Sequence, residues 1–456
     1  MTLTKKQIYL ISILFLLLFA TLCCNTIFFI TIISLVQIAI AIIFFKTSKQ
    51  GLFALSLIFL LMAYITHLGH FYIYTFELNA DVPLYFDTFR NIPIFEILIS
   101  GKYITMFLNT LTIGFIIGES KKNKTRVDKN KTYNLNAIKK IGYCFVIIGF
   151  IFEVIKDYQL IRGYLSGNYL TTTTIIQSGV MNTLANFFLY GLLCLMISYQ
   201  EKKTILRIYY LIFNFTLIIP MLSGNRLNAV MFMVVGAFLY FKLIRKTTLI
   251  TYVKLFLLGY FLILFVNIIA DFRVSGLSYI EILKQLPEYV LSHSPLYDAL
   301  GEFGVTDYSV IYCLRCIPVM KDFGYGLSYI CSIFTVLPDV FGINQIIEPF
   351  VLFTTNFPSN YASGLGGSFI GEIYYNFSYF GIPIGILLGM IVIYYENKLV
   401  YAFATKKWIT VIMLLPLCVM LLIWTRGYFR DFIRVFVWNT LLIYLILNFT
   451  KKRRRF

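Results

Sequence analysis

Apolar runs of about 20 residues recur along the chain, and they decide what it can fold into. The first three cover roughly residues 8–24, 26–45 and 51–75. As helices, such runs are long enough to cross a hydrocarbon core of about 30 Å. A membrane barrel would instead require strands of about ten residues with alternating polarity. The runs therefore predict an all-α polytopic membrane protein. With 59% hydrophobic and only 13% charged residues, the chain could not fold as a soluble protein.

The same pattern gives a plan of about 12 transmembrane helices. They are predicted near residues 8–24, 26–45, 51–75, 97–118, 139–155, 180–199, 208–222, 227–244, 248–270, 379–396, 408–425 and 429–449. Residues 1–270 would hold helices 1–9, and residues 379–456 would hold helices 10–12 and a basic tail. Residues 271–378 between them would form one large extracytoplasmic loop.

The large loop mixes apolar residues at helical spacing with frequent prolines. Tyr279–Leu286 and Val310–Leu314 show the helical pattern. Six prolines from Pro287 to Pro358 divide the loop into short pieces. We therefore predict several short amphipathic helices that lie on the membrane surface and fold over a cavity.

Positive charge follows the predicted topology. The formal net charge is +18, and basic segments such as Lys121–Arg126 and Lys451–Arg455 fall on one side of the twelve-span plan. Basic residues favour the cytoplasmic side of a membrane, so we expect both termini to be cytoplasmic. The charge is thus explained by contact with membrane lipids, and nucleic acid is not an expected partner.

The predicted outer side is rich in arginine rather than lysine. Guanidinium groups bind carboxylate or phosphate through paired hydrogen bonds, which suggests recognition of an anionic substrate. For about half of these arginines we expect the alternative, an interface side chain that reaches toward the headgroups. The outer arginines are Arg90, Arg162, Arg226, Arg273, Arg315, Arg426, Arg430 and Arg434.

Two of these arginine positions lie in short motifs at helix ends. Ser223-Gly224-Asn225-Arg226 forms a predicted tight turn, with Arg226 opening the next helix. In the segment Arg426–Arg434, Arg430 and Arg434 are four residues apart and share a helix face. Several converging arginines could stabilise a departing diphosphate without a metal ion.

Glu372 and His293 are the candidate acid–base residues. Glu372 lies in the glycine-rich stretch Gly366–Asn376, whose glycines could let the backbone approach a substrate closely. It could act as a base or bind sugar hydroxyls, or it could simply stabilise a helix start. His293, the only histidine on the predicted outer side, has a proton-transfer role or a structural one. His67 and His70 lack an evident third ligand, so no metal site is predicted. The chain contains no Walker-type phosphate loop, so ATP is not expected.

With these motifs the chain resembles the Wzy-type oligosaccharide repeat-unit (O-antigen) polymerases. The hydropathy plan carries the resemblance over most of the length. The matching motifs are Ser223–Arg226, Phe323–Tyr329 followed by Pro338, Gly366–Phe377 with Gly381, and Arg426-Gly427. Asn225 stands where a serine is more usual. Ser378-Tyr379 separates Phe377 from Phe380-Gly381, where the family commonly has Phe-Gly directly.

The resemblance implies a glycosyltransferase of the bacterial inner membrane that uses no cofactor. It would move a growing glycan from undecaprenyl diphosphate to a lipid-linked repeat unit on the outer face, and a chain-length regulator is an implied partner. Arg226, Arg273, Arg315, Arg426, Arg430 and Arg434 would bind the diphosphate, and Glu372 or His293 would deprotonate the acceptor. An O-antigen ligase and a lipid-linked oligosaccharide flippase remain the alternatives. The sugar, the linkage and the type of polymer stay open.

Overall fold

The fold is known here from a computed structural model. It describes residues 3–76, 86–119, 135–165, 179–222, 226–244, 295–337, 342–354, 357 and 365–452, with a few single positions between 250 and 287. Across these ranges the secondary structure is helical and contains no strand.

Apart from the short helix Phe86–Arg90, the helices before the large loop match the apolar runs. They are α1 Lys5–Cys23, α2 Ile27–Thr47, α3 Leu55–Phe76, α4 Phe86–Arg90, α5 Ile94–Glu119, α6 Leu135–Leu165, α7 Gly179–Ser198, α8 Lys203–Leu222 and α9 Arg226–Ile244. The later helices are α10 Pro295–Gly304, α11 Asp307–Cys316, α12 Leu327–Phe334, α13 Ile343–Val351, α14 Phe369–Phe377, α15 Gly381–Ala404, α16 Trp408–Trp424 and α17 Phe429–Lys452, with a short 3₁₀ turn at Ser378–Phe380. A helix covers every predicted run except 248–270, which lies almost wholly outside the described residues.

Seven helical segments of the described chain are long and apolar enough to cross a membrane. They are Lys5–Cys23, Ile27–Thr47, Leu55–Phe76, Ile94–Glu119, Met181–Ser198, Lys203–Met221 and Phe369–Ala404. The helical, multi-spanning character predicted from the sequence is thereby confirmed. The figure of about twelve spans stays a prediction.

The chain folds into two compact units, each assembled from distant segments. The first comprises Met1–Arg126, Val290–Val400 and Trp424–Ile433. The second comprises Val127–Tyr289, Tyr401–Ile423 and Arg434–Phe456. These units group segments by packing. The predicted division at residues 270 and 378 concerns the side of the membrane on which a segment lies, and it stays a prediction.

In the first unit, α5 and α15 cross at very short distance because both carry glycines four residues apart. A Cβ atom on Gly114 would overlap the carbonyl oxygen of Ile386, and one on Gly389 would overlap that of Leu111. Small residues at this spacing are typical of closely packed membrane helices.

The start of α3 is bound to α15 by a buried carboxylate. Glu396 accepts hydrogen bonds from the backbone N–H groups of Leu55 at 2.7 Å and Ser56 at 3.1 Å, and from the Ser56 hydroxyl. The first N–H groups of a helix have no partner within the helix. Glu396 therefore does for α3 what a cap residue of its own would do.

Part of the predicted surface loop belongs to the core of the first unit. Helix α11, which contains the predicted Val310–Leu314 piece, has eight buried residues out of ten. At its start, His70 Nδ1 lies 3.1 Å from the Asp307 carboxylate, and both side chains are fully buried. Helices α12 and α13 differ, because they keep exposed apolar side chains such as Ile330 and Ile346. The loop thus contributes both core helices and amphipathic helices.

The second unit contains a tightly packed helix pair, α6 and α7. A Cβ atom on Gly149 would overlap the backbone of Phe188, and one on Gly191 would lie 2.8 Å from Val146 N. The rings of Phe145 and Phe187 stack with centroids 5.1 Å apart. Arg226 lies in this unit at the first position of α9.

Candidate functional site

Three of the motifs singled out in the sequence meet around Glu372 in the first unit. They are the glycine-rich turn Phe323–Gly326 before α12, the stretch Gly366–Ser368 that leads into α14, and residues Arg426–Asp431 of the arginine motif Arg426–Arg434. The last of these, the arginine segment, lies at the start of α17. Glu372 lies in the first turn of α14 and is fully buried. Its Oε1 accepts a hydrogen bond from Ser328 Oγ at 2.7 Å, and its Oε2 accepts one from Phe429 N at 2.9 Å. One carboxylate therefore links α12, α14 and α17.

Asn376, one turn further along α14, completes this hydrogen-bond network. Its Nδ2 donates to Ser328 Oγ and to the carbonyl of Glu372, both at 2.8 Å. Its Oδ1 accepts from Gly326 N at 2.9 Å. Since Ser328 Oγ accepts from Asn376, its own proton is directed to Glu372. The amide of Asn376 uses all of its donors, so the network has a fixed direction.

The glycines of the turn before α12 are required by close approach and by backbone conformation. Gly324 N donates to Tyr375 O at 2.9 Å, and a Cβ atom on Gly324 would lie 2.5 Å from the Tyr375 ring. Gly326 has a φ of +87°, in the left-handed region that residues other than glycine rarely adopt. The motif therefore holds the turn against α14.

Gly367 packs directly against the backbone of the arginine segment. A Cβ atom there would lie 2.5 Å from the carbonyl carbon of Gly427. We predicted that glycines in this stretch let the backbone approach a substrate. The structure shows a different use at Gly367, which is close approach to another part of the chain. Gly366 has open space around its Cβ position.

His67 holds the start of α14. Its Nδ1 lies 2.9 Å from the carbonyl of Ala63, which can only accept, so Nδ1 carries the proton. Its Nε2 then accepts from Ser368 Oγ at 2.8 Å. Ser368 Oγ in turn accepts from Gly371 N at 3.0 Å and caps α14. The histidine fixes the helix that carries Glu372.

The arginine segment is held on several sides but keeps two charged side chains partly exposed. The Phe429 ring contacts those of Tyr329 and Trp424, with centroids 5.1 and 5.5 Å apart. Arg430 Nε donates to Asp431 Oδ1 at 3.2 Å, and their side chains are 24% and 44% exposed. A fixed backbone thus presents a guanidinium and a carboxylate side by side.

The other predicted arginines fall in different surroundings. Arg426 Nη1 donates to the carbonyl of Glu302 at 3.2 Å. Arg315 Nε donates to Glu96 at 2.7 Å, and its Nη2 contacts the same carboxylate oxygen. Burial opposes the charge of Arg315, yet the hydrogen bond and charge of Glu96 hold its pKa above the ordinary value. Arg315 is thus already bound to a carboxylate.

The remaining candidates are less well placed by the structure. Arg273 and His293 lie outside the described residues, and so does the side chain of Arg226. Arg434 belongs to the second unit. The structure therefore brings together Glu372, Arg426 and Arg430 in the first unit.

Sequence reasoning missed several residues that shape this region. Ser328 and Asn376 stood within quoted motifs, so their polar side chains were an available signal. Lys321 gave none, since it is a lone lysine in a loop. Its Nζ donates to the carbonyls of Pro349 at 2.8 Å and Phe353 at 2.9 Å and lies 5.0 Å from the centre of the Tyr375 ring. Burial lowers the pKa of Lys321 to about 8.

The comparisons with known proteins agree with the motifs. A family model described as O-antigen polysaccharide polymerase Wzy matches residues 7–454, almost the whole chain. No curated protein and no solved structure matches it. The family resemblance inferred from the sequence is thereby confirmed. Its members are glycosyltransferase-type polymerases that use lipid-linked oligosaccharide repeat units. The chain is therefore a multi-pass membrane protein that belongs to the O-antigen polysaccharide polymerase Wzy family.

Proposed function

We propose that the protein transfers a growing glycan from undecaprenyl diphosphate to a lipid-linked repeat unit on the outer face of the bacterial inner membrane. Family membership supports the polymerase role and the lipid-linked repeat units. The donor, the direction of transfer, the cytoplasmic termini and a chain-length regulator as partner are part of the proposal. It requires neither nucleotide nor metal ion.

The observation that carries the proposal is the arginine segment held by Glu372 and Gly367. When the glycan leaves its carrier, negative charge develops on the diphosphate. A guanidinium fixed at that position stabilises this charge without having to reorganise. Arg430 suits this role, because its backbone is held at Phe429 and its side chain is 24% exposed. Arg226, Arg273, Arg426 and Arg434 remain proposed diphosphate ligands, while Glu372 and His293 are the proton acceptors that the sequence suggested.

The direct test uses the purified protein with lipid-linked repeat units and no added nucleotide, ATP or metal ion. We expect a ladder of glycan lengths on a gel. A flippase would instead move lipid-linked sugar across a vesicle membrane without lengthening it. A ligase would transfer finished glycan to a different acceptor. Products that remain single repeat units under these conditions would refute the polymerase proposal.

Two matched substitutions test the role of the arginine segment. Arg430→Lys keeps the charge but removes the fork geometry, so we expect kcat to fall by about tenfold or more. Arg315→Lys changes a guanidinium that Glu96 already binds, so we expect a lower melting temperature with kcat within about twofold. Ladders of wild-type length and rate from Arg430→Lys would contradict the diphosphate role.

A further inference from the structure

Glu372 is closed to substrate in this structure. The residue is fully buried, and each oxygen of its carboxylate accepts a hydrogen bond from another part of the chain. A general base must come within hydrogen-bond reach of the proton that it removes. To do so, Glu372 would have to give up Ser328 or the N–H group of Phe429. Either loss would leave a buried polar group without its partner, which is unfavourable.

What Glu372 does hold is the first turn of α17. The Phe429 N–H group is among the first four of the helix, which have no partner within the helix. The carboxylate of Glu372 supplies that partner, and its negative charge suits the positive end of the helix dipole. Arg430 and Asp431 follow directly in the same turn. The position of both side chains therefore depends on the contact between Glu372 and Phe429.

Asp431 is the exposed carboxylate of this turn. Its side chain is 44% exposed, and its Oδ1 lies 3.2 Å from Arg430 Nε. Glu372, the acidic residue on α14, is buried. The hydroxyl of nearby Tyr428 bonds to Thr354 Oγ1. Burial raises the pKa of Tyr428 to about 12, so this phenol is a poor proton acceptor at neutral pH.

We propose that Asp431 is the proton acceptor for the sugar hydroxyl and that Glu372 is a positioning residue that holds Asp431 and Arg430 in place. This inference rests on the polymerase function proposed above. It assigns a role to Asp431 that the sequence patterns did not suggest. It also assigns Glu372 to the support of the site rather than to the reaction itself.

The acceptor hydroxyl oxygen forms a bond to the anomeric carbon of the donor glycan, and its proton passes to the Asp431 carboxylate. The bond between the anomeric carbon and the phosphate oxygen breaks, and its electron pair leaves with undecaprenyl diphosphate. Arg430 stabilises the charge on that leaving group. Because Asp431 is partly exposed, it can release the proton to water and return to its starting form.

The experiment measures kcat and KM for wild type, Asp431→Asn and Glu372→Gln in the lipid-linked repeat-unit assay. Asp431→Asn removes the proton acceptor at an exposed position, so we expect kcat to fall by about 10²–10³-fold with KM nearly unchanged. In Glu372→Gln the side-chain carbonyl can still accept from Phe429 N–H, so we expect kcat to stay within about tenfold of wild type. Melting temperatures in detergent show that each variant is folded.

A second pair of variants separates catalysis from support. Sodium formate can enter the space left by Asp431→Ala and accept the proton, so we expect it to restore part of the lost rate. Formate should not restore Glu372→Ala, because that variant displaces the whole first turn of α17. Ser328→Ala removes the other hydrogen bond of Glu372 and should behave like Glu372→Gln.

Two results would overturn the inference. One is an Asp431→Asn protein that polymerises at the wild-type rate. The other is a folded Glu372→Gln protein whose kcat falls as far as that of Asp431→Asn. In both cases wild type still makes a ladder, so only the assignment of roles fails. Absence of a ladder from wild type would instead refute the proposed function.

Discussion

At the scale of single residues, Lys321 places an ammonium group against the carbonyls that end α13. Burial lowers its pKa to about 8 in the folded protein, below the ordinary 10.5. Between these two values the unfolded chain binds more protons than the folded protein, so stability rises with pH. Below pH 8 Lys321 is protonated in both states, and its contribution to the free energy of unfolding no longer changes with pH. We expect thermal unfolding in detergent to show this rise from about pH 8 to 10.5.

Lys321→Met should remove that rise, because the titrating group is gone. It should also lower the melting temperature, since the carbonyls of Pro349 and Phe353 lose a donor. Lys46→Met, at an exposed position near the end of α2, is the matched control and should keep the wild-type pH dependence. If the stability of Lys321→Met still rises with pH as steeply as that of wild type, another group titrates in this range.

Residue types could be predicted from the sequence better than their surroundings. Glu372 and Arg430 were recognised as candidates because a carboxylate and an arginine stood in motifs. The contacts of Glu372 with Ser328 and Phe429 could not be predicted, because they join positions 44 and 57 residues away. The same holds for Arg315, whose partner Glu96 is 219 residues distant. Hydropathy and local spacing carry no information about such distant partners.

At the scale of elements, Gly367 tests the contact between the segment before α14 and the arginine segment. Gly367→Ala places a methyl group 2.5 Å from the carbonyl carbon of Gly427, so the two backbones must separate. We expect kcat to fall by about tenfold or more, since Arg430 and Asp431 move with that backbone. The check is the length ladder together with the melting temperature.

The adjacent Gly366→Ala is the control for that change. Its Cβ position has open space, and its φ lies outside the left-handed region. It should retain wild-type polymerisation, with at most a small gain in stability from the lower entropy of its unfolded chain. Equal loss of activity in both variants would show that the glycines serve local flexibility rather than close packing.

The buried pair His70 and Asp307 tests how α3 is joined to α11. His70→Ala leaves a carboxylate buried without its ring partner, which costs about 3–5 kcal/mol. The double variant His70→Phe with Asp307→Leu removes both polar groups and fills the space, so we expect a smaller loss. Thermal unfolding in detergent measures both. A single variant no less stable than the double one would contradict an important role of the pair.

The long helices were predictable because apolar length alone decides them. The surroundings of the short helices in the large loop were harder to predict. Helix α11 has the spacing of an amphipathic helix, yet it is buried because α3, α5 and α14 pack against it. An apolar stripe shows that a helix has a face to bury, but it does not identify whether lipid or protein covers that face.

At the scale of the whole molecule, the predicted topology can be tested by labelling single cysteines. In a variant whose 8 native cysteines are replaced, we expect Thr172→Cys to react with an impermeant maleimide in spheroplasts. Asp128→Cys should react only after the membrane is permeabilised, because the basic segment around it is predicted to be cytoplasmic. Labelling of Asp128→Cys in intact spheroplasts would contradict the twelve-span plan.

The bond between Glu396 and the start of α3 has a mechanical consequence. Helix α3 is tied to α15 at Ser56 and to the start of α14 at His67, and α14 continues through a short turn into α15. The two ties are eleven residues apart along α3, roughly 16 Å at the rise of an α-helix. We expect two contacts this far apart to keep α3 and the α14–α15 segment from sliding past each other. If these helices cross the bilayer as predicted, we therefore expect a change in bilayer thickness to be taken up by deformation of the surrounding lipid rather than by movement between these helices.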